Sequence, residues 1–269
     1  MIGAIIGDIV GSRFEWNNRK TKDFNFFHPD CFPTDDSVMT LAVAKALIDC
    51  AGGYDNLSER AAMAMRRLGR HYPDCGYGGR FYQWVFDDNI GPYHSFGNGA
   101  AMRVSPCGFA GRDLTEVKEL SRQVTAVSHN HPEGLKGAEA TAVSIFLALH
   151  GADMAEIRRM ARQYYALDVT LDEIRPNYRF DVTCQGSVPQ ALTAFLESTG
   201  FEDAIRNAIS LGGDSDTLAA ICGGVAGAYY GVPAALRAEA LHFLDERQRA
   251  ILSKFEEMYP PKREDKTVS

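Results

Sequence analysis

The chain has 269 residues, 45% of them apolar, and a formal charge of −7. That length allows one large domain or two small ones around a sizeable core, and the acidic balance argues against a footprint on a phosphate backbone. No apolar run looks long enough to cross a bilayer and no leader pattern opens the chain, so a cytoplasmic protein with no membrane partner is expected.

In chain order, small and apolar residues from Ile2 to Val10 predict a short buried helix, interrupted by a lone acid, Asp8. Gly3, Gly7 and Gly11 recur every four residues, which strips one helix face and lets a second helix come close. Glu15 follows Asp8 by two helical turns, so a continuing helix would put both acids on one face. Buried acids of this kind are paired, metal-bound or protonated. Residues 17–33 have the polar, aromatic and proline-rich make-up of a loop that could serve as a lid. Thr34, Asp35, Asp36 and Ser37 then open a largely buried helix through Ala51.

Residues 57–69 predict an amphipathic helix, and residues 71–106 carry no clear periodicity. Within the latter, FGNGAAMR from Phe96 to Arg103 offers glycine-freed backbone N–H groups and the Asn98 amide, suited to a phosphate, a ribose or simply a tight turn. Asp113 and Glu116 cap a helix to about Ser128. His129 and His131 in SHNHPE fit zinc poorly without further soft ligands, and suggest a substrate contact or a structural hydrogen bond. Helices are expected from Glu133 to His150, from Asp153 to about Leu167, from Gly186 with Pro189 in its first turn and Gly200 past its end, and from Phe201 to Leu211. A single helix is expected after Pro233 to about Met258, then a charged tail over residues 260–269.

Between them lies LGGDSDT, Leu211 to Thr217, where Asp214 and Asp216 stand one residue apart beside Ser215 and Thr217. Such close carboxylates need water, a helix N-terminus or a cation to offset their repulsion. The helix that follows carries Ala220, Gly223, Gly224, Gly227 and Gly231, which makes sense only if it packs tightly at the centre. Two donor clusters at two helix N-termini are better explained by one shared site for two Mg²⁺ or Mn²⁺ ions than by two coincidental caps. Helical periodicity throughout predicts an all-α fold in a single domain over residues 1–259. The six cysteines, Cys31, Cys50, Cys75, Cys107, Cys184 and Cys222, form no C-x-x-C pair and are expected to be reduced packing residues.

With GDIVGSRFE, TDDS, FGNGAAMR, SHNHP and LGGDSDT in that order, residues 1 to about 231 resemble the ADP-ribosylglycohydrolase family, which includes dinitrogenase reductase-activating glycohydrolase and the ADP-ribosyl-acceptor hydrolases. The resemblance implies an orthogonal bundle of helices around a dinuclear Mg²⁺ or Mn²⁺ centre that cleaves the glycosidic bond between ADP-ribose and a modified protein, nucleic acid or small molecule. It implies metal ligands at Thr34, Asp35, Asp36, Asp214, Asp216 and Thr217, with Asp36 also close to the chemistry. Glu15 matches the family's acid near the metals. Phe96, Gly97, Asn98, Gly99, Ala100 and Met102 match the loop that holds ADP-ribose, and His131 a position near its phosphates or distal ribose. The acceptor-facing loops, Asn17 to Pro33 and Cys75 to His94, vary among relatives, so the leaving group does not follow. A non-catalytic ADP-ribose binder and a metal-dependent pyrophosphatase of ADP-ribose or nucleotides are the alternatives, separable by their products.

Overall fold

A computed structural model of the chain describes residues 1–260, and the charged tail beyond Pro260 lies outside the described residues. Among them are fifteen helices and no strand. They run α1 (Ile2–Ser12), α2 (Asp35–Cys50), α3 (Leu57–Gly69), α4 (Gly79–Phe86), α5 (Gly99–Met102), α6 (Ser105–Ala110), α7 (Leu114–Ala126) and α8 (Pro132–Leu149). The second half adds α9 (Met154–Ala161), α10 (Leu171–Ile174), α11 (Cys184–Leu196), α12 (Phe201–Ile209), α13 (Ser215–Tyr230), α14 (Ala234–Phe243) and α15 (Glu246–Met258). No helix among the described residues is long and apolar enough to cross a membrane.

The centre of the molecule is the α1–α13 pair. Every residue of α1 is buried, and almost all of α13 is too. Glycines allow this contact: a Cβ on Gly7 would fall 1.9 Å from the Ala219 carbonyl oxygen, and one on Gly3 2.3 Å from that of Gly223. Backbone therefore meets backbone, and the close approach compensates the poor helix propensity of the glycines. Further along, a Cβ on Gly11 would come 2.6 Å from the Cα of Asp216, so the same stripe sets how near α1 brings its acid to the start of α13.

Several elements differ from their sequence-based expectations. The first helix stops at Ser12, so Glu15 sits in the turn beyond it and not on a continuous face with Asp8. The aperiodic stretch contains α4, too short to show periodicity, which buries Phe81, Trp84 and Val85. The polar connection before α11 holds the single turn α10, closed by a capping box between Thr170 and Glu173. The helix after Asp153 ends at Ala161. Thr183 caps α11 two residues before the expected start by accepting from the Gly186 N–H, which leaves Pro189 inside the helix, and Gly200 is the N-cap of α12. The expected C-terminal helix is two: the chain extends at Leu244 and restarts at Asp245, whose side chain forms a reciprocal cap with Gln248. The six cysteines are unpaired, five of them buried and Cys75 partly so.

Candidate active site

The middle of α1 and the starts of α2 and α13 converge on one group of acids. Asp8 lies in the middle of α1, fully buried. Its carboxylate accepts from the Thr34 N–H at 3.0 Å, the Thr34 hydroxyl at 2.6 Å and the Ser37 N–H at 3.0 Å. It thus satisfies the open N–H groups at the start of α2 and ties that helix end to α1. Thr34 in turn N-caps α2, its hydroxyl accepting from the Asp36 N–H at 3.2 Å. Asp214 and Asp216 open α13, and the Thr217 hydroxyl reaches across to Asp36 Oδ2 at 3.2 Å.

Two triads of carboxylates result. Asp8, Asp36 and Asp216 each offer an oxygen within 4.8 Å of the other two, and so do Glu15, Asp214 and Asp216. Asp216 belongs to both, so the two groups adjoin. Asp35 is not in either triad. Its N–H donates to the Cys75 carbonyl at 2.8 Å, and its carboxyl is linked to Asp8 and Asp214 by repulsion.

The electrostatics are one-sided. No Lys or Arg among the described residues forms an ion pair with any of these six acids. Burial, with help from the neighbouring charges, pushes Glu15 up to about 7 and Asp35 up to about 8. Asp8 rises to about 6 through burial, although its hydrogen bonds pull the other way. Burial raises Asp36 and Asp216 well above the ordinary carboxylate range, the nearby acids adding to it, and raises Asp214 as well.

The donor set fits hard divalent cations. Asp36 Oδ1 is buried with no hydrogen-bond partner, an arrangement that is costly unless something positive lies beside it. The converging donors are carboxylate and hydroxyl oxygens, without thiolate or imidazole, which suits Mg²⁺ or Mn²⁺ over zinc.

The glycine loop flanks this centre. Asn98 is buried, and its side-chain N–H₂ donates to Asp214 Oδ2 at 2.7 Å and to Ser187 Oγ at 3.1 Å. Its neighbours do not form a free cradle of amides. The N–H groups of Asn98, Ala100, Ala101 and Met102 go to the carbonyls of Val182, Gly97, Asn98 and Asn98, and that of Gly97 to Ser95 Oγ. A short antiparallel bridge from Gly97 to Thr183 holds the loop in place. Met102 is buried beneath Thr217, its sulfur 4.0 Å from the hydroxyl. Phe96 is 43% exposed and leans on His131 with ring centroids 5.2 Å apart. His131 caps α8 through Nδ1, which accepts from the Glu133 N–H. Its neighbour His129 is structural: buried and held by Ser128 and Arg103, it is kept neutral because burial and the guanidinium lower its pKa.

Sequence reasoning assigned no site role to Asp8, Trp16, Asn18 or Lys20. Asp8 left a signal, a single acid in an apolar run. Asn18 left none. Its side-chain N–H₂ donates to the carbonyls of Phe14, Glu15 and Gly213, and its Oδ1 accepts from the Gly213 N–H at 2.8 Å. Lys20 donates to the carbonyls of Arg175, Tyr178 and Leu211. These contacts pin the Glu15 turn onto the loop that carries Asp214, where Gly212 and Gly213 adopt φ of 70° and 73°.

The family model described as ADP-ribosylglycohydrolase matches residues 1–263. ADP-ribosylhydrolase ARH3 of Danio rerio is 25% identical over 304 residues, covering 86% of this chain and 82% of that protein, and ARH3 of Homo sapiens is 25% identical over 312 residues with 86% and 84% covered. ADP-ribosylarginine hydrolase Tri1 of Pseudomonas putida (strain GB-1) is 28% identical over 263 residues, covering 86% and 70%. A chain in the solved structure of an ADP-ribosylglycohydrolase-related protein complex shares the fold with a TM-score of 0.69 at 24% identity, over 97% of this chain and 96% of the other.

Proposed function

Because the chain belongs to the ADP-ribosylglycohydrolase family, we propose that it frees ADP-ribose from a modified acceptor by hydrolysing the glycosidic bond at the anomeric carbon of the ribose. The observation that carries this reading is the pair of adjoining carboxylate triads that share Asp216, with the orphaned Asp36 Oδ1 between α2 and α13. Relatives named as ADP-ribosylhydrolases and as an ADP-ribosylarginine hydrolase support release of ADP-ribose, and only the second of these names states an acceptor.

Asp36, Asp214 and Asp216 would hold two Mg²⁺ or Mn²⁺ ions, joined by Asp8 and Glu15 and flanked by Thr34, Asp35 and Thr217. When bound, these ions supply positive charge that orients the ribose hydroxyls and acidifies a water. In the hydrolysis, the water oxygen bonds to the anomeric carbon as the bond to the acceptor breaks, through an oxocarbenium-like transition state. Glu15 would hold that water or take its proton, a role supported by its carboxylate joining the Asp214 and Asp216 triad from a half-buried turn. In the metal-free protein burial and the neighbouring acids raise its carboxyl to about 7, and bound cations would offset those charges and favour the ionised form that a base needs. Asn98 fixes the Asp214 rotamer through its amide. Phe96, Gly97, Gly99 and His131 would contact ADP-ribose through the two rings and the glycine backbone, with buried Ala100 and Met102 supporting the loop from behind.

The test is product analysis on an ADP-ribosylated protein with Mg²⁺, with Mn²⁺ and with chelator. Intact ADP-ribose released only with metal supports the reading. AMP with ribose phosphate would indicate cleavage of the pyrophosphate, and no product from any substrate would leave a binding protein.

A further inference from the structure

At the far end of α2 from the acid cluster lies a groove for which the glycohydrolase reading has no use. It runs the length of α3, from Asn56 to His71, about 20 Å at the rise of a helix, and encloses about 1360 Å³. α3 forms one wall and α15 the other, and the end of α2, which packs against both, closes the floor at Lys45 and Asp49. Lys45 follows Asp36 by nine residues, about 14 Å along the axis of α2, so the groove and the acids stand apart on one helix.

The lining is basic, although the chain carries a formal charge of −7. Six Lys or Arg side chains line the groove against three acids, and two of those acids are engaged. Asp49 pairs with Lys45, and Asp88 with Arg66 and Arg70. Arg66 and Arg70 also donate to the carbonyls of Trp84 and Val85, so their positions are fixed. The guanidinium groups of Arg60, Arg67 and Arg247 form no hydrogen bond or ion pair among the described residues, and Glu59 is the one lining acid left without a cation.

Apolar surface lies between these cations. Arg60, Met63 and Arg67 follow one another at spacings of three and four residues, on a face of α3 turned away from the buried Leu57, Ala61 and Met65. Met63 is 64% exposed at the middle of that stripe. Across the groove, Arg247, Ala250 and Ile251 form a matching stripe on α15. A small anion would use the arginines and ignore Met63, and the volume exceeds the roughly 300–1,000 Å³ of a small-molecule site.

We propose that this groove docks an amphipathic acidic helix of a partner protein, its apolar ridge on Met63 and Ile251 and its carboxylates on Arg60, Arg67 and Arg247. A helix about 10 Å wide suits the space between two helices and presents an apolar ridge and flanking charges together. The flexible thioether of Met63 adapts to such a ridge. A nucleic acid has no apolar ridge to set on Met63, and its phosphates would meet Glu59.

The test is fluorescence anisotropy with the full chain and a fluorescein-labelled helical peptide as long as α3, leucines along one face and glutamates on its flanks. The peptide should bind at micromolar concentration, more weakly as salt rises. The same peptide with lysine for glutamate, or with its leucines spread around the helix, should not bind. Arg60→Ser combined with Arg67→Ser should weaken binding about tenfold, the sum of two surface ion pairs. Met63→Asp should weaken it at least as much through loss of the central anchor, and Met63→Leu should retain it. All three side chains are exposed, so an unchanged melting temperature separates lost docking from lost fold. Absence of binding by the acidic peptide, or binding indifferent to these substitutions, would overturn the proposal. Equal binding of oligothymidylate or polyphosphate would reduce the groove to a plain anion site and overturn it as well. A concentration-dependent dimer that Met63→Asp abolishes would assign the groove to a second copy of this chain, against the proposal.

Discussion

The Thr217 hydroxyl donates to Asp36 Oδ2 at 3.2 Å although the two residues are 181 positions apart in the chain. That single bond joins the N-terminus of α13 to that of α2, and it leaves the other oxygen of Asp36 buried without a partner. A carboxylate so placed is tolerable when it is protonated or when a cation completes it.

Asp8→Asn should therefore impair more than packing. Asp8 touches the start of α2 and also stands in the Asp36 and Asp216 triad. The amide keeps the size but loses charge and one acceptor. Catalytic efficiency should fall on the order of a hundredfold, and the rise in melting temperature on adding Mg²⁺ should shrink. An unchanged metal-induced rise would remove Asp8 from the metal site.

The stability of the metal-free protein should depend on pH with a definite sign. Glu15 and Asp35 lie at about 7 and about 8 in the fold, against 4.5 and 3.8 when unperturbed. A raised carboxyl contributes stability that is fully present below its unfolded value and is lost as pH climbs through the folded one. His129 and the buried Met1 amino group act in the opposite sense, His129 costing stability as pH drops below about 6.5 and Met1, lowered to about 5 by burial, as pH drops below about 8, one proton against those of the several raised carboxyls. Between about pH 6.5 and about pH 8 the metal-free melting temperature should fall, while protein with Mg²⁺ should hold steady because the ion takes the place of the protons. Parallel curves with and without metal would contradict the charge assignment.

Gly7→Ala tests the central helix contact. A methyl there would meet the Ala219 carbonyl oxygen at 1.9 Å, so α1 and α13 must separate. Overpacking of this kind costs about 1–3 kcal/mol or more, read as a lower urea midpoint. Because α1 carries Asp8, metal affinity should drop with it. A variant as stable as the parent would show that the helices can part freely.

Asn18→Ala tests whether the Glu15 turn is held in place from Gly213. Loss of the paired bonds to Gly213 should lower kcat about tenfold or more with little change in KM, since the turn misplaces Glu15 and leaves the ADP-ribose rim intact. A rise in KM alone would assign Asn18 to substrate binding.

Glu15→Gln should reduce turnover more than affinity for free ADP-ribose, measured by calorimetry. Equal losses in both would count against a role in handling the water.

Much of this was legible one residue at a time. The glycine stripe of α1, the acidic helix start at Asp35 and Asp36 and the LGGDSDT turn announce themselves because helix periodicity, local charge and backbone freedom act over a few neighbouring positions. Short elements such as α4 and α10 escaped, since one or two turns are too few for a period to emerge. The break at Leu244 escaped as well, because residues on both sides favour helix.

The amino-acid sequence by itself determined the helical class, the two acidic helix starts and the family, for these depend on local pattern and order along the chain. Only the tertiary structure decided that Asp216 belongs to both triads, that Asp8 completes one of them, that the amides of Gly97, Asn98, Ala100, Ala101 and Met102 are already engaged, and that Trp16 lies on Phe180. Each of these is a contact between segments distant in sequence, set by how closely α1 and α13 can approach, and that distance is fixed by packing across the whole core.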